Sequence, residues 1–128
     1  MAEENKKILI VEDDDLTLRM LSDAFRNEGF FVYEAIDGKE GLDTALRECP
    51  DIILLDIIIP EMDGLSVFKR LRKSGCCVDT PIIVMTNLEE TESITKALSL
   101  GKCDFIIKTN LSIGDIVKRV NTHLSVKN

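Results

Sequence analysis

Side chains with complementary chemistry stand at the ends of short apolar runs in this sequence. Four acidic residues, Glu12, Asp13, Asp14 and Asp15, follow the run KILIV at 7–11. Another carboxylate, Asp56, ends IILLD at 52–56, a hydroxyl, Thr86, ends PIIVMT at 81–86, and an ammonium, Lys108, follows FII at 105–107. Carboxylates held close together raise one another's pKa and resist joint ionisation. A bound dication removes that penalty. Hard oxygen ligands with room for water and phosphate oxygens describe a Mg²⁺ or Mn²⁺ site. A carboxylate that attacks phosphorus also needs cations to neutralise the charge growing on the equatorial oxygens. Nucleophile, metal ligands, cation and hydroxyl donor are the four parts of metal-assisted phosphoryl transfer, and all four are present. Singly, each has a plainer explanation: acids favour a solvated helix N-terminus, Asp56 suits a turn, Thr86 a strand end and Lys108 the surface. Only a fold that delivers them to one place makes them a site.

The elements that flank them predict such a fold. Lys7 to Val11 is a β-branched run that reads as a buried strand, followed by a helix from Asp14 to Asn27 with Leu16, Met20, Leu21, Ala24 and Phe25 at helical spacing and Gly29 as its stop. Phe31 to Ala35 reads as a second strand. Asp37 and Glu40 have capping-box spacing and open a helix to Glu48 with Leu42, Ala45 and Leu46 as its stripe. A third strand, Ile52 to Asp56, leads past Pro60 and Gly64 to a helix carrying Leu65, Phe68 and Leu71. Strand four is Pro81 to Thr86, with a helix bearing Ile94, Ala97 and Leu98 up to Gly101. Phe105 to Ile107 is a short fifth strand, and Ser112 with Asp115 opens a last helix bearing Ile116, Val117, Val120 and Leu124. Strands apolar on both faces, alternating with helices, imply a parallel sheet covered on both sides. The expected architecture is a three-layer, doubly wound (βα)5 sandwich of flavodoxin-like strand order 2-1-3-4-5. That order puts the ligand crevice beyond the carboxyl ends of strands 1 and 3.

The bulk composition narrows the function classes. A chain of 128 residues suits one domain, 1–128, with a core from about 6 to 124. No output domain is read after Leu124, and the sequence leaves open a stand-alone protein or a piece of a longer one. A formal charge of −7 argues against direct nucleic-acid binding, which draws its affinity from Lys and Arg. The longest apolar run, Ile52 to Pro60, is broken by Asp56 and falls short of a membrane span. With no apolar stretch of signal-peptide type near Met1, a cytoplasmic location is the default expectation. Cys49, Cys76, Cys77 and Cys103 form no CxxC pair, so reduced cysteines are expected; adjacency alone is weak ground for a redox role of Cys76 and Cys77.

The segments KILIVEDDD (7–15), PDIILLDIIIPEMDGL (50–65), PIIVMTN (81–87) and DFIIK (104–108) resemble, in order and spacing, the signature segments of response-regulator receiver domains. The resemblance covers nearly the whole chain. It implies two-component phosphorelay signalling, with Asp56 as the phosphoacceptor and catalytic nucleophile. It implies Mg²⁺ (or Mn²⁺) held by Asp13, by Glu12 mainly through water, by Asp56 and by the backbone carbonyl of Ile58. Lys108 would pair with a phosphoryl oxygen and assist the transfer. Thr86 and the backbone of Asn87 would bind others, and Phe105 would be the aromatic switch that turns inward as Thr86 moves. The phosphoryl donor would be a histidine kinase or a histidine phosphotransfer protein, or a small donor such as acetyl phosphate. The downstream partner is an unknown protein, and the chain is expected to be a monomer or weak dimer. Such a domain assists its own phosphorylation and dephosphorylation rather than turning over a substrate as an enzyme.

The chain departs from the family pattern at several positions. Thr109 replaces the proline that usually follows the lysine through a cis bond. A cis peptide costs about 3–4 kcal/mol before a non-proline residue against about 0.5–1 before proline, so a trans Lys108–Thr109 bond is expected. Ile58 and Leu88 occupy the two positions that tune phosphate lifetime in the family, and neither side chain orients a water by hydrogen bonding. Slow self-dephosphorylation follows. Phe105 lacks the hydroxyl of the commoner tyrosine. Lys102 and Cys103 replace the frequent Ala and Asp, which weakens the case for the dimer of DNA-binding regulators.

Two rival readings differ in class. A phosphatase or phosphotransferase of the haloacid-dehalogenase type also uses an Asp nucleophile and Mg²⁺, but it wants a carboxylate two residues on, where Ile58 stands. A receiver-like scaffold that works only through protein contacts would not need Glu12, Asp13, Asp56 and Lys108 together.

Overall fold

The computed structural model describes residues 6–56, 64–75, 77, 79–86, 104–108 and 112–125. Five parallel strands, β1 (Lys7–Val11), β2 (Phe31–Ala35), β3 (Ile52–Asp56), β4 (Ile82–Thr86) and β5 (Asp104–Ile107), form one sheet in the order β2-β1-β3-β4-β5. The described helices are α1 (Asp15–Asn27), α2 (Gly38–Glu48), α3 (Gly64–Arg72) and α4 (Ile113–Ser125). The expected helix around Ile94 to Leu98 lies outside the described residues, as do Ile58, Asn87, Leu88 and the Lys108–Thr109 bond.

Two separate apolar clusters, one on each face, make the three layers. On one side Leu9, Val11, Ile53, Leu55 and Val84 pack with Leu42 and Ala45 of α2 and Val67, Phe68 and Leu71 of α3. On the other Ile8, Ile10, Leu54, Ile83 and Met85 pack with Leu18, Leu21 and Phe25 of α1 and Ile116 and Val120 of α4. Consecutive residues of β1, β3 and β4 therefore bury opposite faces, which is why these strands read as unbroken apolar runs. Each fully buried Leu or Ile contributes about 1.5–3 kcal/mol.

Local chemistry sets the helix ends. Asp14 caps α1, its carboxylate accepting from Thr17 N at 2.9 Å and Thr17 Oγ1 at 2.6 Å. The far end is a Schellman turn: Phe30 N donates to Phe25 O and Gly29 N to Arg26 O, both at 3.0 Å, with Gly29 at φ 94°. The Phe25 and Phe30 rings meet edge-on at 5.2 Å across that turn. At α2, Asp37 accepts from Glu40 N, while Glu40 Oε1 accepts from Ile36 N, one residue before the cap that a reciprocal box would use. Ser112 and Asp115 form the reciprocal box at α4.

Three expectations need correction. Leu16 and Met20 of α1 are 66% and 47% exposed, because the buried stripe runs Leu18, Leu21, Ser22, Phe25. Leu46 of α2 is likewise exposed, with Leu42 and Ala45 turned inward and Thr44 completing the buried side. Cys49 is disulfide-bonded, and its partner lies outside the described residues. Cys77 is free and buried, its thiol donating to Ala45 O at 3.6 Å. No helix among the described residues is long and apolar enough to cross a membrane.

Candidate functional site

The strand order brings the chemistry-bearing residues to one edge. In register, Val11 lies beside Leu55, Asp56 beside Met85 and Thr86 beside Ile107, so Glu12, Asp56, Thr86 and Lys108 all emerge at the carboxyl ends of adjacent strands. Glu12 is fully buried, its N–H donating to Ala35 O at 3.0 Å and its Oε2 accepting from Asp14 N at 3.0 Å. Asp56 is 4% exposed and Thr86 1% exposed, while Asp13 stands in solvent. Lys108 is held by its own N–H, which donates to Thr86 O at 2.8 Å. Its Nζ donates to Asp56 Oδ2 at 2.7 Å and lies 3.0 Å from Glu12 Oε1.

A glycine lets the second layer close over this edge. A Cβ built on Gly41 of α2 would stand 2.8 Å from Cγ2 of Val11, the residue immediately before Glu12. Any larger side chain there must push helix and strand apart.

The electrostatics are those of an under-neutralised acidic site. Three carboxylates and one ammonium leave a formal excess of two negative charges when all are ionised. Burial pushes the Glu12 carboxyl above its ordinary 4.5, and the charge of Asp56 adds to this against the Asp14 amide and Lys108. Burial alone would lower Lys108, but the hydrogen bonds and charges of Asp56 and Glu12 outweigh it and hold the ammonium above 10.5. The group is therefore a fixed positive charge at neutral pH.

The carboxylate oxygens of Glu12, Asp13 and Asp56 lie within 4.8 Å of one another. Oxygens on opposite sides of a hexacoordinate Mg²⁺ stand about 4 Å apart, so small side-chain adjustments bring all three onto one ion. Glu12 Oε1, buried and lacking a hydrogen-bond donor although close to the Lys108 charge, is the kind of atom such an ion satisfies. The donor set fits a hard dication. Of the other acids after β1, Asp14 caps α1 and Asp15 pairs with Arg19, so neither joins the cluster.

Phe105 sits on the same sheet face as Thr86: it neighbours Val84, two residues earlier on β4, and packs partly buried against the α2–α3 cluster. Sequence reasoning missed the brace behind it. Asp104 Oδ2 receives Arg119 Nη1 and His123 Nε2, each at 2.9 Å, and Arg119 also donates to Phe105 O at 3.3 Å. The available signal was the spacing of Arg119 and His123, one turn apart on α4 with one acid facing them.

The family model of the response regulator receiver domain matches residues 8–121. Sporulation initiation phosphotransferase F of Bacillus subtilis is 34% identical over 123 residues, 96% of this chain and 97% of that protein. Regulatory protein AtoC of Escherichia coli is 41% identical over 102 residues, 80% of this chain and 22% of that protein. The chain spans less than half the length of the first curated relatives it matches. Among solved structures, the receiver domain of Francisella response regulator 1452 superposes with a TM-score of 0.84 at 31% identity, covering 97% of this chain and 100% of that one. A CheY-like receiver domain protein from Methanospirillum hungatei gives 0.87 at 26% identity over 95% of each chain. Strand order, site placement and matched sequence agree: this chain belongs to the response regulator receiver domains of two-component systems.

Proposed function

We propose that the chain is a phosphorylation-gated switch in which Asp56 accepts a phosphoryl group from a histidine kinase or histidine phosphotransfer protein. The observation that carries this reading is the approach of the Glu12, Asp13 and Asp56 carboxylates to within 4.8 Å, with Lys108 Nζ on Asp56. Glu12, Asp13 and Asp56 would hold Mg²⁺, with the Ile58 carbonyl completing the protein ligands. When bound, the ion supplies positive charge for the phosphoryl oxygens and for the crowded carboxylates.

The chain's own groups do the rest. An Asp56 oxygen attacks phosphorus, forming a P–O bond as the P–N bond of a phosphohistidine, or the P–O bond of acetyl phosphate, breaks. The leaving group carries away that bond's electron pair. Lys108 then exchanges its carboxylate contact for a phosphoryl oxygen, keeping its charge throughout. The Thr86 hydroxyl and the Asn87 amide donate to the other oxygens. As Thr86 moves toward them, it vacates space on the sheet face it shares with Phe105, and the ring turns inward to alter the partner-binding surface. Each domain is modified once per signal, so it acts as a switch rather than as a turnover enzyme. The name of the Bacillus subtilis relative, a phosphotransferase, supports passage of phosphate through this fold.

The test is intact-protein mass spectrometry after incubation with acetyl phosphate and Mg²⁺. One phosphoryl mass is gained by the native chain and none by Asp56→Asn. No gain under any donor, or an equal gain in Asp56→Asn, rejects the reading and leaves the unswitched scaffold.

A further inference from the structure

The basic side chains of α3 and of Lys73, the residue just after it, divide into two sets. Arg72 points inward: its guanidinium donates to Cys77 O at 3.1 Å and Thr80 O at 2.8 Å and lies over the Phe68 ring at 5.1 Å. It ties the end of α3 to the chain entering β4. Lys69, Arg70 and Lys73 point outward into solvent and, with Ser66, line a shallow concavity of about 290 Å³. Their positions, i, i+3, i+4 and i+7 from Ser66, form one helical face.

Arg70 stands apart from the other arginines of this chain. Of the six arginines, Arg19, Arg26, Arg47 and Arg119 pair with carboxylates and Arg72 with carbonyls. Arg70 has neither kind of partner among the described residues, and no described carboxylate pairs with Lys69 or Lys73. Yet the protein carries 23 acidic residues and a formal charge of −7. Three cations gathered on one face, unpaired among the described residues amid such an excess of acid, are suited to charge supplied from outside. Cations near a helix C-terminus also favour the helix dipole, a purely internal role that the experiment below separates.

We propose that the Ser66–Lys69–Arg70–Lys73 face docks a carboxylate-rich helical segment of a partner protein. Glutamates at the matching helical spacing would meet Arg70 through paired N–H···O bonds and the two lysines as point charges, with Ser66 at the rim. Nucleic acid is disfavoured by the overall negative charge. The position suits a partner that engages whatever the state of Asp56. The Arg72–Thr80 tie puts the basic end of α3 near the start of β4, at the opposite edge of the sheet from Asp56.

The experiment is fluorescence anisotropy with a labelled alanine-rich helical peptide carrying four glutamates at i, i+3, i+4 and i+7, and the same peptide with glutamines. The full chain should bind the glutamate peptide alone, more weakly as salt rises. Lys69→Gln/Arg70→Gln/Lys73→Gln should weaken binding by about tenfold. Lys39→Gln/Lys118→Gln, which removes two exposed lysines elsewhere, should leave it unchanged. If the triple variant does not fold by circular dichroism, Arg70→Gln alone should weaken binding by about threefold. No binding by the native chain, or equal loss in both variants, overturns the proposal. So does a lower melting temperature of the triple variant with unchanged peptide affinity, the signature of a dipole role alone. Tighter binding of duplex DNA, or self-association in sedimentation, lost in the triple variant assigns the face to another occupant and overturns it too.

Discussion

Lys108 Nζ donates to Asp56 Oδ2 at 2.7 Å while standing 3.0 Å from Glu12 Oε1, so a single ammonium bridges two buried carboxylates that come from different strands. Asp56 lies 52 residues before it in the chain and Glu12 lies 96 before it. The bridge offsets part of the charge on the acidic pair and leaves the pair short of full neutralisation. In the proposed transfer it is also the contact that must be surrendered.

Lys108→Ala should therefore act on stability and on chemistry separately. Removing one partner leaves Glu12 and Asp56 facing each other under desolvation, and melting temperature should fall. Added Mg²⁺ should then raise melting temperature more in the variant than in the native chain, because the dication replaces the lost charge. Phosphorylation by acetyl phosphate should slow by about 10²–10³, the usual cost of losing one charge-stabilising donor. A variant phosphorylated at the native rate would remove Lys108 from the proposed machinery.

Glu12 and Asp13 should separate cleanly, since one is buried and the other exposed. The metal-free folded state holds the Glu12 carboxyl above 4.5, so it binds more protons than the unfolded chain near that pH. Stability on this account falls as pH rises from the unfolded value to the folded one, and is at its lower level at neutral pH. Glu12→Gln should then stabilise the metal-free protein at neutral pH. Asp13→Asn should change it little. Both should weaken Mg²⁺ binding by about tenfold or more, read by titration calorimetry. Destabilised Glu12→Gln protein in chelator would contradict the assignment.

The strands were legible because β1, β3 and β4 are buried on both faces, so four consecutive apolar residues in each admit few other readings. The sheet order followed from five strand–helix repeats, and with it the common edge of Glu12, Asp56, Thr86 and Lys108. The amphipathic phase of α1 was less legible: Leu16 and Met20 fit a helical stripe as well as Leu18 and Ser22 do, and only the packed sheet decides which one is buried. Contacts among charged side chains were not legible at all. That Asp14 turns back to Thr17 while Asp13 stays beside Glu12 and Asp56 depends on where β1 ends and α1 begins, to within one residue. The disulfide at Cys49 and the Asp104–Arg119–His123 brace join residues whose nearness is a product of tertiary structure.

That brace should appear in acid. Burial opposes ionisation of Asp104, but hydrogen bonds from His123 and Arg119 outweigh it and hold the carboxyl below 3.8. A lowered pKa contributes stability that is present above the unfolded value and lost as pH falls through the folded one. Asp104→Asn should cost about 1–2 kcal/mol at neutral pH. The gap between variant and native chain should close below about pH 4. Urea unfolding across this range measures it, and a gap that stays constant would assign the cost to packing instead.

Gly41 tests how closely α2 must approach the strand that carries Glu12. Alanine favours a helix interior by about 1 kcal/mol over glycine. Here its methyl group would enter at 2.8 Å from Val11 Cγ2, an overlap that overpacking costs of about 1–3 kcal/mol describe. Gly41→Ala should therefore lower stability and weaken Mg²⁺ affinity through displacement of the adjoining Glu12. Gly41→Ala with Val11→Ala, which removes the obstructing methyls, should recover the metal affinity even where core stability is not regained.

The lifetime of the proposed aspartyl phosphate depends on whether water can be aimed at phosphorus. Ile58, two residues after Asp56, and Leu88, two after Thr86, carry no group able to accept a proton or orient a water, whereas an amide orients a water by hydrogen bonding and a carboxylate does both. Ile58→Asn with Leu88→Glu should hasten phosphate loss, with Asn supplying a hydrogen-bond partner and Glu an acceptor for the attacking water. General-base assistance contributes about 10²–10⁴ when well placed, so a pair whose aim has not been optimised should deliver less, about tenfold to a hundredfold. Removing the phosphoryl donor by rapid gel filtration and following the phosphoryl mass of both proteins over time in Mg²⁺ isolates this step, because no new phosphate can be added. Equal decay in the two would mean that access of water, rather than its orientation, sets the lifetime.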